Sequence, residues 1–246
     1  MKKLYANIVC MFVFSESKKR KVRMNIRYGK YIKSCMNFVR SVNKDKKCKL
    51  KQFFGYGCQN MMISLNNKWI FKFPLPKNGL VNNTRAEKEK RIYDAFKDIS
   101  PIKLPNMELL DFDGIIVRKY EYINGCKVLS EFKPSVIEKY RQKIAYQIAE
   151  FLYIIGKSDP KQIKDLKPSI NAKPTFLYGW CQNDVGGNFL IDKRTMKIKY
   201  FIDWEDTQFI SFKPTLYSCA NYWKKNGCCE LIVDVLEQYA KLYYKK

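Results

Sequence analysis

The chain has 246 residues, 46% hydrophobic and 15% aromatic, enough to bury a core in one domain or in two lobes. It carries 47 Lys+Arg against 23 Asp+Glu, a formal charge of +24, and no histidine. The missing imidazole excludes Ser-His-Asp triads, His general bases and His-ligated zinc. The positive balance points to an anionic partner such as nucleotide, nucleic acid, membrane or acidic protein. A Lys-, Asn- and Ile-rich composition of the kind an AT-rich genome imposes gives the same excess.

Nine scattered cysteines, an odd number with no C-x-x-C, fit neither a disulfide framework nor a zinc site, and read as reduced thiols of a cytoplasmic protein. No apolar run approaches the ~18 residues of a membrane span. Met1-Lys2-Lys3 followed by Leu4 to Phe14 is short and impure for an export leader, and Phe14-Ser15-Glu16-Ser17 is a poor cleavage site.

Residues 1–45 read as a basic extension, with the run Lys18-Lys19-Arg20-Lys21-Val22-Arg23 and then a weak helical pattern through Tyr31, Ile32, Cys35, Phe38, Val39 and Val42. A first lobe is expected over 46–120. Phe53-Phe54-Gly55-Tyr56-Gly57 leads into a strand over 61–65, Asn66-Asn67 turns the chain, and Trp69-Ile70-Phe71-Lys72-Phe73 makes the next strand. Gly55 and Gly57 would let backbone N–H groups approach a phosphate. Lys72 alternates with Phe71 and Phe73 and so takes the opposite face of its strand. Thr84 and Glu87 match a capping box. In the helix that follows, Ala86, Glu89, Ile92 and Phe96 share one face, which turns Glu89 inward and leaves Glu87 outside. Lys72 is the natural cation for Glu89.

A hairpin over 108–120 then gives way to an irregular connector at Glu121-Tyr122-Ile123-Asn124-Gly125, and a second lobe is expected over 121–246. Its longest helix is predicted over 134–156, followed by a Lys/Pro-rich loop over 157–175. Asn183-Asp184-Val185-Gly186-Gly187-Asn188 precedes an apolar strand, a basic turn and a second apolar strand ending at Asp203. That hairpin would return Asp203 beside Asn188. Phosphoryl transfer needs such a set, with one Asp to orient an acceptor hydroxyl and an Asn and an Asp to hold Mg²⁺. An ordinary hairpin with polar ends has the same letters. A loop to Pro214 and helices over 215–225 and 230–245 complete the chain.

In order and rough spacing these motifs resemble the protein-kinase-like fold, within it the aminoglycoside phosphotransferase / choline kinase branch, over roughly residues 52–223. The resemblance implies an α+β, two-lobed architecture, with a small antiparallel N-lobe sheet and a mostly helical C-lobe reduced at its C-terminal end, since only 43 residues follow Asp203. It casts Gly55 and Gly57 as the phosphate-covering loop, Lys72 as the α/β-phosphate lysine and Glu89 as its helix partner. Tyr120, Glu121 and Tyr122 stand where the hinge backbone pairs with adenine. Asp184 is implied as catalytic, and Asn188 and Asp203 as metal ligands, with ATP and Mg²⁺ as cofactors. The chain departs from the pattern in carrying Gln182 where the family has His, and in an Asp-to-Asn spacing of four rather than five. A rival register with Asn183 at the catalytic position restores the spacing but leaves no acceptor-side carboxylate.

The leading functional expectation is an ATP/Mg²⁺-dependent kinase acting on a hydroxyl of a protein or a small molecule. A resemblance to minimal effector-type bacterial kinases would add delivery into another cell. The alternatives are a pseudokinase that binds nucleotide or a protein partner, and a basic nucleic-acid-binding protein.

Overall fold

The computed structural model describes residues 16–43, 47–54, 59–76, 81–182 and 185–245. The chain forms two compact units, Met1–Ala86 with Asn106–Tyr122, and Glu87–Pro105 with Ile123–Lys246.

The first unit is built on a five-stranded antiparallel sheet in the order β1-β2-β3-β5-β4, from β1 (Leu50–Phe54), β2 (Asn60–Leu65), β3 (Trp69–Pro74), β4 (Met107–Phe112) and β5 (Ile115–Glu121). Asn66 and Asn67, at φ 54° and 52°, supply the left-handed residues that the β2–β3 turn needs. Alternation sends Met61, Ile63, Phe71, Phe73 and Val117 into one core. The segment expected as a solvated extension contributes to that core. Helix α1 (Glu16–Ser41), kinked at Tyr28, buries Met24, Ile32, Cys35 and Val39 in it, and the Tyr31 hydroxyl donates to the Pro74 carbonyl at 2.6 Å. The helical pattern read over Tyr31 to Val42 supplies three of these side chains, and Met24 extends the stripe toward the charge run. α1, at 26 residues, is therefore the longest helix described.

Helix α2 (Thr84–Phe96) opens in the first unit and belongs to the second from Glu87 onward. The Asn82 side chain, two residues before the expected cap at Thr84, accepts the Thr84 N–H at 3.0 Å and so satisfies a donor at the start of the helix. In the second unit, the helix expected over 134–156 is broken at Tyr140 (φ −112°, ψ 14°) into α3 (Pro134–Lys139) and α4 (Arg141–Lys157). A three-stranded sheet of β6 (Cys126–Val128), β8 (Phe189–Asp192) and β9 (Ile198–Phe201), in the order β6-β8-β9, carries the predicted hairpin. A two-stranded sheet pairs β7 (Tyr178–Gln182) with β10 (Thr207–Ser211). β10 lies where a loop was expected, because its partner is some 25 residues upstream and leaves no local signal. Helices α5 (Lys213–Lys225) and α6 (Leu231–Tyr244) follow.

β7 lies directly on α4. A Cβ at Gly179 would sit 2.2 Å from the Gly156 carbonyl oxygen, and one at Gly156 would sit 2.4 Å from the Phe212 ring. No helix is long and apolar enough to cross a membrane among the described residues.

Candidate active site

The hairpin does what its sequence requires. Phe189 pairs with Phe201 across β8–β9, and one step further the Ile202 N–H donates to the Asn188 carbonyl at 3.1 Å. Asn188 and Asp203 are thereby neighbours at the open end of the hairpin. The turn Val185–Gly187 before Asn188 is held from behind by α5. The Trp223 indole donates to the Gly186 carbonyl at 3.2 Å, and a Cβ at Gly186 would meet Tyr222 at 3.1 Å.

Asp203 has left-handed backbone geometry, φ 64° and ψ 66°. That region costs a non-glycine L-residue about 1–2 kcal/mol, less for Asp, and persists where surroundings enforce it. Here three consecutive backbone positions are fixed by distant partners. Ile202 N–H is held by Asn188, the Asp203 carbonyl accepts from Gln182 Nε2 at 2.9 Å, and Trp204 N–H donates to Glu89 Oε1 at 3.0 Å. Gln182 is 3% exposed and Glu89 1%, so water does not compete for either bond. The Trp204 ring anchors the same loop, stacked on Phe96 at 5.5 Å and edge-on to Phe151 and Phe201. Gln182, which stands where the resemblance leads one to expect His, is thus an amide that reaches the Asp203 carbonyl. Next to it on β7, burial pushes the Cys181 thiol up to about 11, and its sulfur lies 3.2 Å from the Thr215 hydroxyl.

Glu89, Asp203 and Glu205 bring carboxylate oxygens within 4.8 Å of one another. Oxygen-only donors of this density suit a hard divalent cation, which would offset their mutual repulsion. Glu205 is buried, and the sequence analysis did not single it out. Its signal was its place two residues after Asp203, which a half-turn brings to the same side.

In the first unit, Lys72 is 7% exposed on β3, between Met62 on β2 and Arg118 on β5. Arg118 is 1% exposed and donates to the Asn60 side chain at 2.6 Å. Sequence reading missed it, although the alternation that turns Lys72 away from Phe71 also turns Arg118 away from the core residue Val117. Tyr120 and Glu121 are paired with Ile70 and Trp69, and the Tyr122 N–H donates to the Lys68 carbonyl at 2.8 Å. Gly55, Gly57 and Asp184 lie outside the described residues, as does Asn183.

No protein-family profile and no curated protein matches the chain. Solved structures do. A GDP complex of aminoglycoside 2'-phosphotransferase-IIIa is 14% identical with a TM-score of 0.63, over 86% of this chain and 82% of that one. The ADP-bound aminoglycoside phosphotransferase APH(2'')-Ib is 12% identical with a TM-score of 0.62, over 85% and 81%. A choline/ethanolamine kinase family protein from Mesorhizobium loti is 13% identical with a TM-score of 0.54, over 85% and 76%. The chain has the protein-kinase-like fold shared by aminoglycoside phosphotransferases and choline-kinase-like proteins.

Proposed function

We propose that this protein is an ATP- and Mg²⁺-dependent phosphotransferase that moves a γ-phosphoryl group to an acceptor hydroxyl. The observation that carries the reading is the strained, triply held Asp203, placed beside Asn188 and within a cluster of carboxylate oxygens. Backbone strain of this kind is retained where a side chain must be aimed. Asn188 and Asp203 would hold Mg²⁺, with Glu205 and Glu89 adjoining, and the ion would neutralise phosphate charge.

Lys72 takes the role of α/β-phosphate contact, while Gly55 and Gly57 cover the phosphates. The Tyr120-Glu121-Tyr122 segment lies where adenine docks, through groups other than the Tyr122 N–H already given to Lys68. Asp184 orients the acceptor hydroxyl. With no covalent intermediate, rate comes from positioning and charge complementarity. Two of the solved structures carry GDP or ADP, and all three are named for aminoglycosides or choline/ethanolamine, which favours a small hydroxyl compound as acceptor; a protein hydroxyl is the alternative.

The test is transfer of labelled γ-phosphate from Mg²⁺-ATP to aminoglycosides, choline and a cell lysate, run beside Asp184→Ala and Asp203→Ala. Loss of transfer with retained nucleotide binding in Asp184→Ala, and loss of both in Asp203→Ala, is the expected pattern. Full activity of Asp184→Ala would overturn the assigned loop register. Mg²⁺-dependent nucleotide binding without turnover on any acceptor would mark a pseudokinase.

A further inference from the structure

The charge of this protein is not evenly spread. The first unit holds 22 of the 47 Lys+Arg but only 6 of the 23 Asp+Glu, so about two-thirds of the net charge sits on 103 of 246 residues. A compositional bias acts on both units alike and does not produce that asymmetry. Within the unit the charge is sorted further. Four acidic residues, Glu108, Asp111, Asp113 and Glu121, lie on or between β4 and β5, with β4 the far edge of the sheet. The opposite edge is β1, flanked by exposed Lys47, Lys49 and Lys51 and packed against α1.

α1 contributes nine Lys/Arg against one acidic residue in 26 positions. Lys21, Arg23, Arg27, Lys30, Lys33 and Arg40 are exposed, distributed along α1 on both sides of its kink at Tyr28. Between the helix and β1 lies an open groove of about 400 Å³, whose walls combine Lys33 and Arg40 with the amides of Asn25, Asn37 and Gln52. At Gly29 an added Cβ would meet nothing within 4 Å, so the groove has an unobstructed backbone floor.

We propose that this face docks duplex nucleic acid through its phosphate backbone. Lys, Arg, Asn and Gln side chains are the groups that meet phosphate oxygens. The face fits the alternatives less well. An interfacial membrane helix must bury an apolar face in lipid, whereas the apolar residues of α1 are spent on the sheet. Single strands are held by stacking bases on exposed rings, and the tyrosines and phenylalanine described on α1 are half-buried. Binding is therefore read from charge and shape, without sequence preference. The inference stands on the first unit alone and does not depend on the phosphotransferase reading.

The test is fluorescence anisotropy of a labelled 20-base-pair duplex with the full chain between 50 and 200 mM NaCl. Four phosphate contacts give a log–log salt slope of about −3.6, a loss of roughly 150-fold across that range. The variant Arg23→Gln/Arg27→Gln/Lys30→Gln/Lys33→Gln should bind at least about tenfold more weakly at 50 mM and lose most of the slope. A charge-matched control on the second unit, Lys173→Gln/Lys197→Gln/Lys213→Gln/Lys224→Gln, should stay within about twofold of the unmodified protein. Equal loss in both variants would overturn the proposal in favour of diffuse charge attraction. No duplex binding at 50 mM, tighter binding to phosphatidylserine vesicles, or a marked preference for single strands or polyglutamate would also overturn it.

Discussion

Gln182 donates from Nε2 to the main-chain carbonyl of Asp203 across 2.9 Å, tying the strand that leads into the acceptor loop to the proposed metal ligand. Because the donor is an amide, this support does not titrate between pH 5 and 8, as an imidazole would. Gln182→Met should keep the volume, leave a carbonyl without its donor and cost about 1–3 kcal/mol of stability, with weaker Mg²⁺-ADP binding. Gln182→Glu separates hydrogen bonding from packing. Protonated, it can still donate; ionised, it cannot, so Mg²⁺-ADP affinity in this variant should fall as pH rises from 5 to 8. Calorimetric titration at the two pH values checks this, and a flat Gln182→Glu profile would reduce Gln182 to packing.

Asp203→Gly should separate stability from function. Glycine adopts φ 64° without the Cβ penalty, so the variant should match or exceed the parent by up to about 1 kcal/mol in urea unfolding. It should nonetheless lose Mg²⁺-dependent nucleotide binding. A clear destabilisation would mean that the side chain holds the loop together and is not aimed at a ligand.

Acid should weaken the second unit through two identifiable carboxylates. The Arg91 guanidinium holds the Asp165 carboxyl below the usual range, and donation from the Thr195 N–H and hydroxyl does the same for Asp192. Their folded values lie below the unfolded one, so their contribution is present above the ordinary carboxylate value of about 3.9 and is lost as pH falls through the lowered ones. Melting temperature should therefore hold steady down to about pH 5 and then drop. Asp192→Ala, measured by thermal scans from pH 6 to 2.5, should show a shallower drop.

Thiol labelling should sort by burial. Cys181, with its thiol near 11 and 1% exposure, should resist iodoacetamide in the folded protein at pH 8, while exposed Cys48 and Cys229 react. Peptide mass mapping after timed labelling checks the order. Labelling of Cys181 as fast as Cys48 would show that the β7–α5 packing opens freely.

How far the sequence revealed these relationships follows from the range over which each is determined. The inward turn of Glu89 and the turn of Lys72 to the face opposite Phe71 and Phe73 follow from periods of 3.6 and 2 within a few residues, and the structure buries Glu89 and Lys72 alike. The return of Asp203 to Asn188 needs only a short hairpin. β10 is a strand because Thr207 meets Gln182, a partner 25 residues away, and the helix breaks at Tyr140 without a Pro or Gly to mark it; neither is written locally. The role of α1 was hidden for another reason, since its cations dominate the composition while four apolar side chains decide where it lies.

The meeting of Gly156 and Gly179 carries a last consequence. With 2.2 Å between a would-be methyl on Gly179 and the Gly156 carbonyl oxygen, the spacing of α4 and β7 is set by one missing side chain and has no slack on that side. Gln182 stands three residues further along the same strand. Any substituent at position 179 must lift β7 away from α4 and carry the Asp203 anchor with it, so a residue with no chemistry of its own would behave in an assay like part of the active site.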